Sequence, residues 1–293
     1  KKINFDIAGN PILNENIADN REFDRAFVLL GVGLSYKPLK SLEIYGNVSQ
    51  NYRSVTFNDI RITNPSLVVD PNITDEQGYT FDLGARGRFG KYLSYDIGGF
   101  FLSYQDRLGV IVREVSDIQE ERFRGNIGDA VTYGLESFVD WNIMETFSAN
   151  RYLRMNYFVN LALTDSEYTS SEENNVEGKK VEFIPAINLK TGLGFGYKNF
   201  LGNLQYTYLS KQFTDATNSE RDFESQSGIV GEIPAYDILD LSLAYTFGRF
   251  KLESGINNVL NNSYFTRRAT GYPGPGILPS QPRTWYATLQ IKL

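Results

Sequence analysis

The chain of 293 residues has no cysteine and no histidine, a formal net charge of -6, and 41% hydrophobic residues. Those facts exclude disulfides, thiol catalysis, Cys or His metal sites, a His ligand to haem and Ser-His-Asp catalysis; the acidic balance also disfavours nucleic acid, since no basic stripe offsets phosphate repulsion. Aromatic residues reach 14%, with 19 Tyr and 20 Phe against 2 Trp beside 26 Gly, which suits strands better than helices.

In chain order, Ala26, Val28, Leu30, Val32, Leu34 and Tyr36 make a first apolar row with period 2, the mark of a strand with one apolar face. KPLK turns the chain, and Leu42, Ile44, Gly46 and Val48 make the second row. A polar stretch near 54–77 follows, then Tyr79, Phe81, Leu83, Ala85 and Phe89, a GK turn, and Leu93, Tyr95, Ile97, Gly99 and Phe101. Another polar stretch near 108–127 precedes Val131, Tyr133, Leu135, Val139 and Trp141, a connection near 143–150, and Met155, Tyr157, Val159, Leu161 and Leu163. An acidic segment, TDSEYTSSEENNVEGKK, leads to Ile187, Leu189, Leu193, Phe195 and Tyr197, a KNFLG turn, and Leu204, Tyr206 and Tyr208. A polar stretch near 214–234 is followed by Leu239, Leu241, Leu243, Tyr245 and Phe247, a GR turn, and Phe250, Leu252 and Ile256. A Pro- and Gly-rich loop then runs into RTWYATLQIKL, where Trp285, Ala287, Leu289, Ile291 and Leu293 alternate with polar or amphipathic residues.

The pattern predicts eleven strands of about ten to fourteen residues. Connections near 37–40, 90–91, 143–150, 198–202 and 248–249 are short; those near 54–77, 108–127, 166–185, 214–234 and 263–282 are about twenty residues long. Strict alternation of short and long predicts an all-β, antiparallel up-and-down meander with turns at one end and loops at the other, the plan of outer-membrane β-barrels. Strands of this length match a hydrocarbon core of about 30 Å, whereas strands of a soluble sandwich run nearer five or six residues. Tyr36, Phe89, Tyr92, Phe247, Phe250 and Trp285 stand near row ends, where aromatic girdles sit at headgroup depth. No apolar run of about 18 residues occurs, so no transmembrane helix is predicted.

Several stretches together resemble the barrel of TonB-dependent outer-membrane receptors. GINNVLNNSYF, with Asn258, Tyr264 and Phe265, is similar to the family's Asn-Leu-Phe-Asp and Tyr-Phe pattern, and PRTWYATLQIKL to its closing strand. IPAYDILDLSLAYTF and NIGDAVTYGLES resemble further barrel segments, and the likeness covers residues 24–293. Two departures stand out: the family's last residue is usually Phe and here is Leu293, and neither a plug nor a TonB-contacting box is visible. Since such barrels have 22 strands around a plugged lumen, residues 1–293 read as the C-terminal half of a barrel, with plug and earlier strands absent. The resemblance implies residence in the bacterial outer membrane and import of an iron chelate, ferric citrate or a siderophore-like anion. The implied partners are the TonB–ExbB–ExbD complex, outer-membrane lipid, and the barrel-assembly machinery, which would read Trp285, Leu289, Ile291 and Leu293. The alternatives are a passive porin, a receptor for carbohydrate or cobalamin, and an adhesin or barrel hydrolase.

No catalytic constellation emerges and no cofactor is expected. Glu120-Glu121 and Glu172-Glu173 fall in predicted loops rather than a cleft, and Asp59, Asp70, Asp75 and Glu76 lack EF-hand spacing for calcium. GVGLSYKPLK and GLGFGY are glycine-rich but lie within strands, so they do not read as phosphate cradles. Binding remains, and long loops on a rigid barrel are its natural seat. The loop cations include Arg53, Arg61, Arg113, Arg122, Arg124, Arg221, Arg267 and Arg268, with Tyr52, Phe123, Phe213, Phe223, Tyr264 and Tyr272 beside them. Arginine forks suit carboxylate and other anions. The candidate ligand residues are therefore Arg53, Arg113, Arg122, Arg124, Arg267, Arg268, Tyr264 and Tyr272, with two Arg pairs expected to converge on one multiply charged anion.

Overall fold

The computed structural model describes residues 4–5, 11–12, 25–60, 67–116, 119–147, 152–220, 228, 230–269 and 276–292. Its strands are β1 (Asn4–Phe5), β2 (Pro11–Ile12), β3 (Gly31–Leu39), β4 (Leu42–Arg53), β5 (Leu67–Val69), β6 (Glu76–Phe89), β7 (Leu93–Ser116), β8 (Gln119–Asn142) and β9 (Leu153–Ser170). They continue as β10 (Ile187–Tyr197), β11 (Phe200–Leu209), β12 (Tyr236–Phe247), β13 (Phe250–Asn257), β14 (Phe265–Ala269), β15 (Gly276–Pro279) and β16 (Thr284–Ile291), with short helices α1 (Phe57–Ile60) and α2 (Ile143–Phe147).

Eleven strands follow one antiparallel path, in the order β3, β4, β6, β7, β8, β9, β10, β11, β12, β13, β16, and β5 adds to β8 as a twelfth. This is the predicted meander. β3 and β16 form its two edges, and they do not pair with each other.

Register gives each face its chemistry. One row of paired residues runs Trp285, Ile256, Leu241, Leu204, Leu193, Tyr157, Trp141, Leu93, Phe89 across nine strands. One residue away the side chains flip to the opposite face, and the paired row there is Asn156, Gly194, Asn203, Ser242, Gly255. On that polar face Arg86 Nη2 donates to Glu43 Oε1 at 2.9 Å and the Tyr45 hydroxyl donates to Asp96 Oδ1 at 2.8 Å. Gly84 makes room for the Tyr45 ring, since a Cβ there would lie 2.4 Å from it.

The apolar face stays uncovered by protein: Leu34 is 76% exposed, Leu83 67%, Leu135 59% and Leu289 57%. A continuous exposed face of large aliphatic and aromatic side chains fits a lipid phase rather than water. The buried cores lie elsewhere, among the long connections: Ile111, Phe123, Ile127, Ala130, Tyr168, Val176, Val181 and Ala216 form one, and Val55, Ile73 and Leu108 another. The loops thus build a small protein interior of their own at one end of the sheet.

The short turns follow expectation, with Gly90, Lys198 and Gly248 in the left-handed region at φ 56°, 51° and 58°. Three expectations are corrected. The segment near 108–127 is no loop: β7 and β8 continue through it as one long hairpin, 24 residues a strand, so the Glu120-Glu121 pair lies on β8. The first strand begins at Gly31 rather than Ala26. Two further long connections hold elements of their own, α1 and β5 near 54–77 and the β14–β15 hairpin near 263–282.

Candidate functional site

The long hairpin sets the site. Regular pairing of β7 with β8 holds from Leu93–Trp141 to Tyr104–Ala130 and then shifts register between Tyr104, Arg107 and Leu108. Asp106 sits at φ 53° there, with its N–H donating to Asp129 Oδ1 at 3.1 Å. Bulges of this kind bend and re-aim a strand. Beyond the shift both outer edges of the hairpin lose their barrel neighbours, because β6 stops pairing at Gln77–Gln105 and β9 at Ser170–Asp129. Loop backbone takes those edges. The β5 strand pairs parallel with β8 from Leu67–Arg122 to Val69–Arg124, and Ala216 N donates to Val110 O at 2.8 Å.

At the bend lies a buried charge cluster that the sequence reading missed. The Arg107 guanidinium stands 3.9 Å from Glu76 Oε1 and 3.9 Å from Glu182 Oε1, its side chain 17% exposed. Tyr168, fully buried, donates its hydroxyl to Glu182 Oε2 at 2.8 Å, and Leu108 N donates to Glu76 Oε2 at 2.9 Å. Burial pushes the Tyr168 phenol well above its ordinary pKa, and Glu182 adds to the effect, so it stays a donor. Arg107 Nε has no partner among the described residues. A signal for this cluster was present in the sequence: Asp106-Arg107 puts two charges side by side, and adjacent charges cannot share one face of a strand.

Beside this cluster is a cavity of about 200 Å³ lined by Arg53, Asp59, Leu108, Gly109, Val110, Arg122, Arg124, Glu182, Phe183 and Thr214. Arg122 and Arg124 share a face of β8 because they are two residues apart, while Phe123 between them enters the core on the other side. Arg53 Nη2 pairs with Asp59 Oδ1 at 2.7 Å and its Nη1 with Glu76 Oε2 at 3.4 Å. Arg124 Nη1 donates to Asn58 O at 2.9 Å, which ties β8 to α1. Arg122 makes neither hydrogen bond nor ion pair among the described residues; Asp215 is the charge that compensates it. Burial lowers the Arg122 pKa below the usual arginine value, Asp215 opposes that, and Arg124 adds to it. Arg122 is thus a partly desolvated cation with its donors unspent. For Asp59, burial raises the carboxyl pKa, but bonds from Thr56 and the charges of Arg53 and Arg124 outweigh it, leaving the value below the ordinary one.

The remaining predicted residues stand apart from the cavity lining. Arg113 pairs with Glu173 and lies 3.4 Å from the Phe123 ring centroid. Arg268 is buried, with Nη1 donating to Gly228 O at 2.8 Å and Nη2 to Glu232 O at 2.6 Å; Arg267, its neighbour on β14, is exposed. Adjacent strand residues point to opposite faces, so these two cations do not act as one fork. Tyr264 stacks on Tyr236 at 4.8 Å. Arg61, Arg221, Phe223, Tyr272 and Leu293 lie outside the described residues, while Trp285, Leu289 and Ile291 are exposed on the apolar face of β16. The carboxylates weighed for calcium serve other ends: Asp75 binds Arg25, at 2.6 and 2.7 Å, and Val55 N at 2.8 Å, and Glu76 binds Arg53 and Leu108 N.

An Asn-rich turn closes β13. Asn258, buried at 2% exposure, receives Asn262 N on Oδ1 at 3.0 Å, donates Nδ2 to Asn262 O at 2.9 Å, and its own N–H goes to Asp240 Oδ1 at 2.8 Å. The NNVLNN stretch is therefore a hydrogen-bonded corner that fixes where the last loop begins.

Comparison with solved structures places this arrangement. The ferric citrate transporter FecA, in its unliganded form, superposes with a TM-score of 0.68 at 24% identity, covering 88% of this chain and 37% of that one. The ferric yersiniabactin uptake receptor FyuA from Yersinia pestis gives 0.65 at 18% identity, covering 90% and 36%, and the copper transporter OprC gives 0.64 at 15%, covering 88% and 38%. The chain thus spans under two fifths of the length of each of these proteins. Residues 4–259 match the family described as TonB dependent receptor-like, beta-barrel. With eleven meandering strands, one apolar and one polar face, and long connections gathered at one end, the chain belongs to the TonB-dependent receptor β-barrel family.

Proposed function

We propose that residues 1–293 form the C-terminal part of the barrel of an outer-membrane receptor that actively imports an anionic iron chelate, of the ferric citrate or siderophore class, through a plugged lumen. The observation that carries this reading is the set of three arginines, Arg53, Arg122 and Arg124, around one cavity among the long loops. Arg122 has its donors unspent, and a charge-assisted fork is what a carboxylate-bearing chelate requires. FecA is a ferric citrate transporter and FyuA a ferric yersiniabactin uptake receptor, which supports the same class of cargo. The exposed Arg267 is a further contact, and Tyr264 and Tyr272 supply aromatic surface nearby in sequence. Energy would come from the TonB–ExbB–ExbD complex.

Ferric citrate binding to the full-length receptor tests the proposal. Arg122→Ala with Arg124→Ala is expected to weaken it by at least about tenfold, equivalent to roughly 1.4 kcal/mol. Arg268→Ala, which removes loop bonds instead, is expected to act through loop stability. Wild-type affinity in the double variant, or uptake of neutral ligands alone, sinks the anion assignment. Uptake that persists without the energy-coupling complex points to a passive porin.

A further inference from the structure

The short-turn end of the sheet has a composition unlike the rest of the chain. The formal net charge of the protein is -6. Yet the β3–β4, β6–β7, β10–β11 and β12–β13 turns each carry one cation at the tip and no acid: Lys40, Lys91, Lys198 and Arg249. All four are exposed, and none makes an ion pair among the described residues. On the polar face near this end, Glu43 matches Lys37 and Arg86, and Glu253 matches Lys251. The one acid in the remaining short connection is Glu145 on α2.

Each tip cation stands directly beyond aromatic side chains on the exposed apolar face. Phe89 stacks with Tyr95 at 5.3 Å below Lys91, and Phe247 with Phe250 at 5.4 Å below Arg249. Lys198 lies over the rings of Tyr197 at 5.3 Å and Tyr152 at 6.0 Å. Tyr36 is 68% exposed beside the Lys40 turn. Aromatic belts mark the headgroup level, and Lys or Arg stems run along apolar surface to place their charge just outside it. The four charges therefore lie in one row at phosphate depth, where no carboxylate among the described residues pairs with them.

We propose that this row docks the anionic headgroups of glycerophospholipid, of the phosphatidylglycerol kind, in the leaflet that meets the short turns. Short turns face the periplasm in this architecture, so the occupant is phospholipid rather than lipopolysaccharide. A cation near an anionic surface gains about 1 kcal/mol, or about fivefold, and the gain fades within a Debye length as salt rises. The proposal rests on the strands spanning a bilayer and is independent of any ligand.

The test is the full-length receptor placed in vesicles of phosphatidylcholine, and of phosphatidylcholine mixed equally with phosphatidylglycerol. Lipid that stays bound after detergent extraction is read by mass spectrometry. Wild type is expected to retain phosphatidylglycerol over phosphatidylcholine by at least about tenfold, less at high salt. The quadruple variant Lys40→Gln, Lys91→Gln, Lys198→Gln, Arg249→Gln loses that preference, each single variant about fivefold of it. Lys179→Gln with Lys180→Gln, in the long connection after β9, leaves it unchanged. Equal retention of both lipids by wild type, or an unaltered preference in the quadruple and single variants, overturns the proposal. Failure of wild type to enter either vesicle would instead sink the bilayer-spanning reading beneath it.

Discussion

Replacing Leu241 with Arg tests the two-faced sheet at its centre. Leu241 is the sixth of the twelve residues of β12, half-buried, and paired with Leu204 and Ile256 in the long apolar row. Twelve residues at about 3.4 Å each, tilted near 45°, rise about 29 Å along the membrane normal, against an apolar band of about 25 Å. Leu241 therefore sits within a few ångströms of the midplane, where a lipid-facing Arg costs about 2–4 kcal/mol; near the interfaces the cost falls to about 0–1 kcal/mol. Leu243→Arg should cost slightly less than Leu241→Arg, and Phe247→Arg, at the strand end, close to nothing. Ser242→Arg is the internal control, because Ser242 lies between Asn203 and Gly255 on the polar face. The assay is urea unfolding of the full-length receptor in phospholipid vesicles, followed by tryptophan fluorescence. Equal costs for Leu241→Arg and Ser242→Arg, or an equal cost at Phe247, would refute the assignment of faces.

Two further outcomes follow from the loop end. Arg107→Ala leaves Glu76 and Glu182 buried without their shared cation, and removing one partner of a buried pair costs about 3–5 kcal/mol. Hydrogen exchange should show the 171–186 connection losing protection while the β10–β13 ladder keeps its own; unchanged protection there would refute the coupling. Asp59 and Asp75 both have carboxyl pKa values below the ordinary one; burial opposes the shift, and bonds from Thr56 to Asp59 and from Tyr52 and Arg25 to Asp75 outweigh it. A depressed folded value means their stabilisation is fully present above the unfolded value of about 3.9 and is lost as pH falls through the folded one. Protection of the Ile60 amide, corrected for intrinsic exchange, should therefore be level from about pH 5 to 7 and drop below about 4. Asp59→Asn with Asp75→Asn should flatten that drop, and a drop that persists would show another group responsible.

Period-2 alternation made the meander readable from the amino-acid order alone. A residue such as Leu204 or Leu193 has to face the same way as its neighbours two positions off, and strict short and long spacing leaves few ways to connect such strands. The exposed apolar face and the glycine turns at Gly90 and Gly248 follow from the same local rules. Where polar residues carry strands past the bilayer, no such rule applies. In the 108–127 stretch β7 and β8 pair with each other, but their outer edges are satisfied by β5 and by Ala216, distant in sequence, so how far the hairpin runs on is not written locally. The arginines show the same division. Their chemistry was plain in the sequence, and so was the shared face of Arg122 and Arg124. That Arg53 joins them, that Arg268 turns to the carbonyls of Gly228 and Glu232, and that Arg107 lies between two carboxylates were decided by tertiary packing. A charged side chain in a loop carries no periodic constraint, so only the distant groups that desolvate and bond it determine whether it binds the protein itself or waits for a ligand.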